Sequence, residues 1–168
     1  IIKVMGILDK IHQQQKRNQE PKPKTSMKWL YKNKEINEIA DLPKGAFGFI
    51  YKTTHIPSGK LYIGKKSLMY NLKKKLGKKE KLLWEGKGRP PVYKRVLKES
   101  DWKTYYGSHS FIKEANKEDL TREILEIAYH KKELTYLECK YQFTLGVLES
   151  RSYLNDNILG KFFDKDFA

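Results

Sequence analysis

Residues 48–66 read GFIYKTTHIPSGKLYIGKK, and this stretch decides the fold expected for the chain. Two runs rich in β-branched and aromatic residues flank a Pro-Ser-Gly turn at residues 57–59, a composition typical of a β-hairpin. Pairing about that turn makes Tyr51 and Tyr62 cross-strand neighbours on one face, because side chains alternate along a strand. The opposite face then holds three aliphatic side chains, Ile50, Leu61 and Ile63. The sequence therefore predicts an antiparallel hairpin that presents two phenols together.

The two tyrosines have two interpretations. An ordinary aromatic cross-strand pair contributes about 0.2–1 kcal/mol to a sheet and needs no further role. Alternatively, two adjacent phenols beside Lys66 could serve proton transfer and phosphate binding. The spacing of the hairpin alone is compatible with both interpretations.

Composition limits the class of protein. A chain of 168 residues, 39% hydrophobic and 33% charged, suits one domain with a modest core. No apolar run approaches 18 residues and no secretory leader is visible, so neither a membrane span nor export is expected. The single cysteine, Cys139, excludes an intrachain disulfide and favours a cytoplasmic location. The four histidines are scattered and have no cysteine partners, which argues against a structural zinc site.

The net charge of +15 is concentrated in one part of the chain. Residues 60–98 contain fourteen Lys or Arg and two acidic residues, whereas residues 99–168 contain ten basic and thirteen acidic residues. Focused positive charge of this kind binds polyanions by releasing counterions, although a lysine-rich loop can also serve solubility alone. The candidate nucleic-acid-binding residues are Lys65, Lys66, Lys73, Lys74, Lys75, Lys78, Lys79, Arg89 and Lys94.

The chain is expected to contain a short extension followed by one domain. Residues 1–26 are basic and rich in Gln and Pro, which predicts a disordered extension. The domain covers residues 27–168 and begins with a short amphipathic segment at residues 27–46. Inside it, residues 67–100 are basic and interrupted by Gly and Pro, which predicts a long loop with short helical pieces such as residues 93–100. Aromatic residues in this insertion either stack on bases or anchor the loop to the core.

A helix is predicted over residues 132–149, where apolar side chains recur every three or four positions. Glu138 lies at the border of that apolar stripe rather than on the open face. A carboxylate in this position needs a hydrogen bond, a cation or a metal ion. Lys131 and Lys140 are available as ordinary partners.

The tripeptides Phe49-Ile50-Tyr51 and Tyr62-Ile63-Gly64 resemble the paired motifs of the GIY-YIG nuclease superfamily. Phe49 replaces the first glycine of the family motif. The resemblance covers roughly residues 46–160, and residues 101–108 and the end at 162–163 are similar to phage-encoded members. It implies an α+β fold, with a small three-stranded antiparallel sheet flanked by helices and residues 120–128 as the third strand.

The resemblance also implies roles for single residues. Glu138 would be the sole protein ligand of one divalent ion, Mg²⁺ or Mn²⁺. Asn155 would support the site from the loop after the helix, with Asn157 as the alternative. Tyr62 would orient the water or the phosphate, and Tyr51, its phenol pKa lowered by nearby positive charge, would help to deprotonate the attacking water.

The catalytic arginine of the family has no direct counterpart, since Leu72 occupies its usual position. Arg95 is the preferred substitute because it falls in a predicted helix of the insertion. Arg122, in the predicted third strand, is a second candidate. Lys65 and Lys66 could supply charge, but a lysine lacks the bidentate grip of a guanidinium.

The expected function is divalent-metal-dependent hydrolysis of phosphodiester bonds in double-stranded DNA. Such an endonuclease, of phage or mobile-element type, would act in the cytoplasm of a bacterial host. One alternative is a non-catalytic nucleic-acid-binding protein whose hairpin and basic loop only grip a backbone. Another is a small RNA-associated structural protein.

Overall fold

The computed structural model describes residues 28–167, which form an α+β fold. The α-helices are α1 (Lys78–Leu82), α2 (Ser110–Glu114) and α3 (Lys131–Thr144). The strands are β1 (Trp29–Tyr31), β2 (Lys34–Ile36), β3 (Gly48–His55), β4 (Lys60–Ser67), β5 (Met69–Lys75), β6 (Tyr93–Glu99), β7 (Leu120–Ala128), β8 (Asn157–Ile158) and β9 (Phe162–Phe163). The extension predicted at residues 1–26 lies outside the described residues.

Five strands form one mixed sheet in the order β2, β1, β7, β3, β4. β7, β3 and β4 are antiparallel neighbours, and β7 is the third strand that the family resemblance implied. β1 pairs with β7 in parallel and carries β2 on its other side. The expected three-stranded antiparallel sheet was therefore too small. β1 and β2 were missed because three residues each are too few to show an alternating pattern.

A β-bulge in β7 explains its irregular apolar pattern. Ile50 pairs with Glu126 and the next residue, Tyr51, pairs with Ile124, so Leu125 is the extra residue. The bulge lets Ile124 and Ile127 pack on the same face although they are three positions apart. For this reason the sequence alone did not distinguish a strand from a helix at this segment.

The hairpin separates two hydrophobic cores, one on each face of the sheet. Phe49 and Tyr51 pack with Trp29 and Trp102 on one face. Ile50 and Ile63 pack on the other face beneath α3, as the alternation predicted. The α3-side core consists of Ile50, Ile63, Ala128, Leu134, Leu137, Val147, Leu148 and Ile158.

β5 and β6 pair only with each other, and residues 76–92, including α1, connect them. This unit, residues 69–99, is called the basic ribbon below. The predicted long loop was wrong, because residues 93–99 form a strand rather than a helix. Consecutive charged residues, such as those at 73–75, hide the period of two by which a strand is recognised.

α3 ends at Thr144, earlier than the predicted limit of residue 149. Gly146 adopts a left-handed φ of 56° and ends the helix instead of lying inside it. The amide of Val147 donates to the carbonyl of Gln142 and that of Gly146 to Phe143, both at 3.1 Å, which is a Schellman motif. With 14 residues, α3 is the longest α-helix in the described part of the chain, and no helix there is long and apolar enough to cross a bilayer.

Candidate active site

Tyr51 and Tyr62 lie diagonally across the β3–β4 pair on one face of the sheet. Tyr51 is directly opposite Gly64, and Tyr62 is directly opposite Thr53. The two ring centroids are 6.2 Å apart, with an angle of 43° between the ring planes. The two rings therefore share a face as predicted, although the residues are diagonal rather than directly opposite neighbours. Because a Cβ on Gly64 would lie 2.5 Å from the Tyr51 hydroxyl oxygen, glycine at this position leaves space for the phenol.

Tyr51 is only 1% exposed and packs edge-on against Trp29 and Tyr105. Burial raises the pKa of the Tyr51 phenol well above its usual range, and the neighbouring phenols raise it further. The expectation of a lowered pKa was wrong. The reason is that burial disfavours the charged phenolate. Lys66, which the sequence placed beside the pair, instead pairs with Asp101 at 2.6 Å and lies over the Tyr105 ring.

Tyr62 reaches the surface of the sheet, where its hydroxyl hydrogen-bonds to Ser108 Oγ at 2.6 Å. Burial raises the pKa of the Tyr62 phenol, although the Ser108 hydrogen bond partly opposes this increase. Ser108 follows residues 101–107, a segment held in place where Arg122 donates to the carbonyls of Lys103 and Tyr105. Tyr62 is thus the phenol of the pair that can contact a substrate.

An open cleft of about 410 Å³ extends from Tyr62 to α3. Charged or titratable side chains at its wall are those of Tyr62, Lys65, His109, Glu138 and Asp156. The uncharged polar lining consists of Ser108, Ser110, Gln142, Asn155 and Asn157. Three of the predicted catalytic residues, Tyr62, Glu138 and Asn155, therefore share this cleft with Lys65, a predicted nucleic-acid-binding residue.

Glu138 projects from α3 into the cleft, with its side chain 18% exposed. Its Oε2 lies 2.9 Å from Nζ of Lys65 on β4. Lys65 also donates to Thr135 Oγ1, one turn earlier on the same helix, at 3.1 Å. The partner of the carboxylate is therefore a residue distant in sequence rather than Lys131 or Lys140.

Asn155 positions the edge strand of the sheet. Its Oδ1 accepts from the Ile63 amide at 3.0 Å, and its Nδ2 donates to the Ile63 carbonyl at 2.7 Å. Gln142 of α3 also donates to that carbonyl, at 3.3 Å. The buried amide of Asn155 thus continues the β-ladder and fixes the middle of the Tyr62-Ile63-Gly64 motif. Asn157, the alternative, is exposed and caps a turn by accepting from Gly160.

The structure separates the candidate cations. Arg122 is 3% exposed, and its guanidinium lies between the rings of Trp29 and Tyr106. Arg95 lies on the basic ribbon opposite Lys73 and not at the wall of the cleft. In the described residues, the lysine or arginine at the cleft wall is Lys65.

His109 and Asp156 were missed by the sequence analysis. His109 Nδ1 accepts from the Phe111 amide at 3.2 Å and caps α2, while Nε2 lies 3.4 Å from Asp156 Oδ2. The His109 and Tyr62 ring centroids are 6.2 Å apart. His109 directly follows segment 101–108, which carried the family resemblance. This position next to the segment is the sequence feature that could have identified His109 as a site residue.

The family described as "Putative endonuclease segE, GIY-YIG domain" matches residues 29–158, from β1 to β8. This span includes the tyrosine pair, Glu138 and Asn155. The chain belongs to the GIY-YIG family. The GIY-YIG domain is accordingly a nuclease, a hydrolase with a nucleic acid substrate. Neither a search of curated proteins nor a search of solved structures found a match to the chain.

Members of this family typically use divalent metal ions. Within residues 28–167, no three His, Cys, Asp or Glu side chains are grouped to hold an ion. The carboxylates at the wall of the cleft are those of Glu138 and Asp156. This donor set fits Mg²⁺, which proteins bind through one or two carboxylates while several waters are retained.

The predicted nucleic-acid-binding residues of the GIY-YIG domain lie on two surfaces. Lys65 and Lys66 belong to β4, where Lys65 lines the cleft and Lys66 pairs with Asp101. The others belong to the basic ribbon: Lys73, Lys74 and Lys75 on β5, Lys78 and Lys79 on α1, Arg89 in the connection and Lys94 on β6. Lys94 pairs with Glu80 across the ribbon, so this cation is partly neutralised.

Proposed function

We propose that this GIY-YIG domain is a divalent-metal-dependent endonuclease that cuts double-stranded DNA, of the phage or mobile-element type. The observation that carries the proposal is the convergence of Tyr62, Lys65 and Glu138 in one open cleft. A phenol, an ammonium and a carboxylate in one cleft supply hydrogen bonding, positive charge and a metal ligand. These are the groups that phosphodiester hydrolysis requires.

Each group in the cleft has a separate role. A Mg²⁺ or Mn²⁺ ion held by Glu138 would polarise the scissile phosphate and stabilise the leaving 3′ oxygen. Lys65 offsets the negative charge that develops on the phosphoryl oxygens, the task of arginine elsewhere in the family. The Tyr62 hydroxyl, oriented by Ser108, positions the attacking water or the phosphate.

Tyr51 and Asn155 act from behind the cleft. Because burial raises its pKa, Tyr51 stays protonated near neutral pH and supports the Tyr62 ring. Asn155 holds the backbone of Ile63, next to Tyr62, in the geometry of a paired strand. These two residues keep the reacting side chains in fixed positions. Fixed positioning of reacting groups increases the rate of a reaction by large factors.

A plasmid-nicking assay tests the proposal. The purified protein should nick supercoiled plasmid in Mg²⁺ and stop in EDTA. Glu138→Ala should abolish cleavage while DNA binding in a gel-shift assay is retained. Glu123→Ala is the matched control, since Glu123 also pairs with a lysine, Lys52, but lies on the sheet away from the cleft lining. Cleavage by Glu138→Ala at the wild-type rate would refute the site assignment.

The alternative is a non-catalytic nucleic-acid-binding protein. The Lys65–Glu138 ion pair favours it in one respect, since the carboxylate already has a cation partner. Such a protein would bind DNA equally with Mg²⁺ or EDTA, with no nicks at any enzyme concentration. Competition between duplex DNA and structured RNA at matched salt identifies the preferred nucleic acid and tests the RNA-associated alternative.

A further inference from the structure

The basic ribbon is fixed at its base and exposed along its length. Leu68, just before β5, is fully buried, and its carbonyl accepts from the Ser100 amide at 2.8 Å. Ser100 Oγ also donates to the Ser67 carbonyl at 2.6 Å. Beyond this base, 12 of the 14 residues of β5 and β6 are exposed. An isolated two-stranded sheet is marginally stable in water, so a partner outside the described chain is expected to cover it.

Like charges lie directly opposite each other on the ribbon. Lys73 pairs with Arg95, and Lys74 pairs with Lys94. Directly opposed like charges destabilise a strand pair unless an anion lies between or above them. Lys94 has Glu80 as its partner, whereas neither Lys73 nor Arg95 forms a salt bridge with any residue among 28–167. A polyanionic ligand, such as a phosphate backbone, would relieve this repulsion between like charges.

The two faces of the ribbon differ in chemistry. Cross-strand partners share a face, and the face called the reading face here carries Asn71, Lys73, Arg95 and Leu97 at its centre, with Met69 and Glu99 at the base and Lys75 and Tyr93 at the far end. The other face carries Tyr70, Leu72 and Val96 together with Lys74, Lys94 and Lys98. A phosphate grip needs only cations. Arginine, asparagine and an aliphatic side chain are the groups that recognise guanine, adenine and the thymine methyl in the major groove.

The dimensions of the ribbon fit that groove. Seven residues span about 20 Å along each strand, and the strands lie about 5 Å apart. The major groove of B-DNA is about 12 Å wide and admits a two-stranded β-ribbon. β4, the strand that carries Tyr62 and Lys65, ends with one residue between it and the start of the ribbon. A duplex bound by the ribbon is thus tethered to the strand that forms one wall of the cleft.

We propose that the basic ribbon enters the major groove of the substrate duplex and reads bases through Asn71 and Arg95. This inference rests on the proposed endonuclease function and extends it, since it gives the enzyme a sequence preference. The ribbon positions the duplex by its lysines, and its reading face selects where the cleft cuts.

Two readouts on a randomised duplex library test the ribbon and the nuclease separately. Binding selection in EDTA reports base preference without cleavage, and sequencing of cut ends in Mg²⁺ reports it with cleavage. Arg95→Lys keeps the charge but loses the bidentate grip, so one base position should lose about tenfold or more of its discrimination. Asn71→Ala should relax a neighbouring position. Lys98→Ala, on the opposite face, should weaken binding evenly and reduce its salt dependence.

Each result has a defined meaning. Unchanged base frequencies in both Arg95→Lys and Asn71→Ala, with wild-type melting curves, would overturn the reading role. The reading role is also overturned if the charge reversal Lys73→Glu/Arg95→Glu leaves duplex binding intact, which would make the ribbon a protein contact. A wild-type protein that selects a sequence but never cuts supports the ribbon and refutes the nuclease. A wild-type protein that cleaves DNA without any base preference supports the nuclease and refutes the reading role of the ribbon.

Discussion

Lys65 Nζ lies 2.9 Å from Glu138 Oε2, and this ion pair joins β4 to α3 across the wall of the cleft. The Lys65 and Glu138 side chains are 34% and 18% exposed, so solvent screens the pair only in part. A divalent ion that binds Glu138 must compete with the lysine for the carboxylate. The same lysine is the cation proposed to meet the phosphate. Metal binding and phosphate binding are therefore coupled through Lys65.

Replacing Lys65 should separate these two effects. In Lys65→Met the carboxylate loses its competitor, so Mn²⁺ should bind up to about fivefold more tightly. Plasmid cleavage should nevertheless slow by roughly 10²-fold, because no ammonium offsets the charge on the phosphate. Titration calorimetry with Mn²⁺ measures the first effect and saturating-metal nicking rates measure the second.

The control for this pair is Lys52→Met, which breaks the Lys52–Glu123 salt bridge elsewhere on the sheet. It should change neither metal affinity nor cleavage rate. Weaker Mn²⁺ binding by Lys65→Met would mean that the lysine organises the carboxylate rather than competing for it.

Tyr51 should make the domain sensitive to alkali. Because the pKa of Tyr51 is raised in the folded protein, the unfolded chain loses this proton first, near pH 10. The free energy of unfolding should therefore decline as the pH rises above about 10, and the decline should be shallower in Tyr51→Phe. Urea unfolding at a series of pH values measures how steeply the free energy of unfolding declines. Tyr136→Phe, at a phenol 67% exposed, should keep the wild-type slope; equal slopes in all three proteins would contradict a buried, protonated Tyr51.

The parts of the fold that the sequence predicted are those with a clear period. Alternation revealed β3 and β4, and a repeat of three or four residues revealed α3. Tyr51, Tyr62 and Glu138 could be selected because they lie within these regular elements or in the family motifs. Asn155 was selected by its place after the helix, and the structure adds its bonds to Ile63.

The remaining features depend on contacts between distant residues. The packing of α3 on β4 determines which lysine pairs with Glu138. Lysines close to Glu138 in the sequence, such as Lys140, do not predict this partner. The raised pKa of Tyr51 depends on burial by rings from several segments of the chain. The basic ribbon was hidden because its lysines occupy both faces of a strand, which removes the alternation of polar and apolar residues.

Gly64 should be intolerant of a side chain because Tyr51 lies over it. An alanine Cβ would meet the Tyr51 hydroxyl oxygen at 2.5 Å and its ring carbon Cζ at 2.8 Å. The buried phenol cannot move without disturbing the core, so Gly64→Ala should lower the free energy of unfolding by about 1–3 kcal/mol. Gly77→Ala is the control, since its Cβ would meet only Glu80 Oε2, at 3.6 Å. Urea denaturation compares the two, and equal midpoints would show that the sheet adapts to the methyl group.

Asn155 should matter for stability and cleavage together. Asn155→Ala leaves the amide and the carbonyl of buried Ile63 without their side-chain partner, which should cost about 1–3 kcal/mol of unfolding free energy. Nicking should also slow at a temperature where the variant remains folded, because the edge strand that positions Tyr62 loses its restraint. Asn157→Ala removes an exposed side chain at the cleft wall whose hydrogen bond is a turn contact to Gly160, so it should change both quantities much less. If Asn157→Ala slows cleavage more than Asn155→Ala does, Asn157 is the family asparagine, and the support of Ile63 is not what the reaction needs.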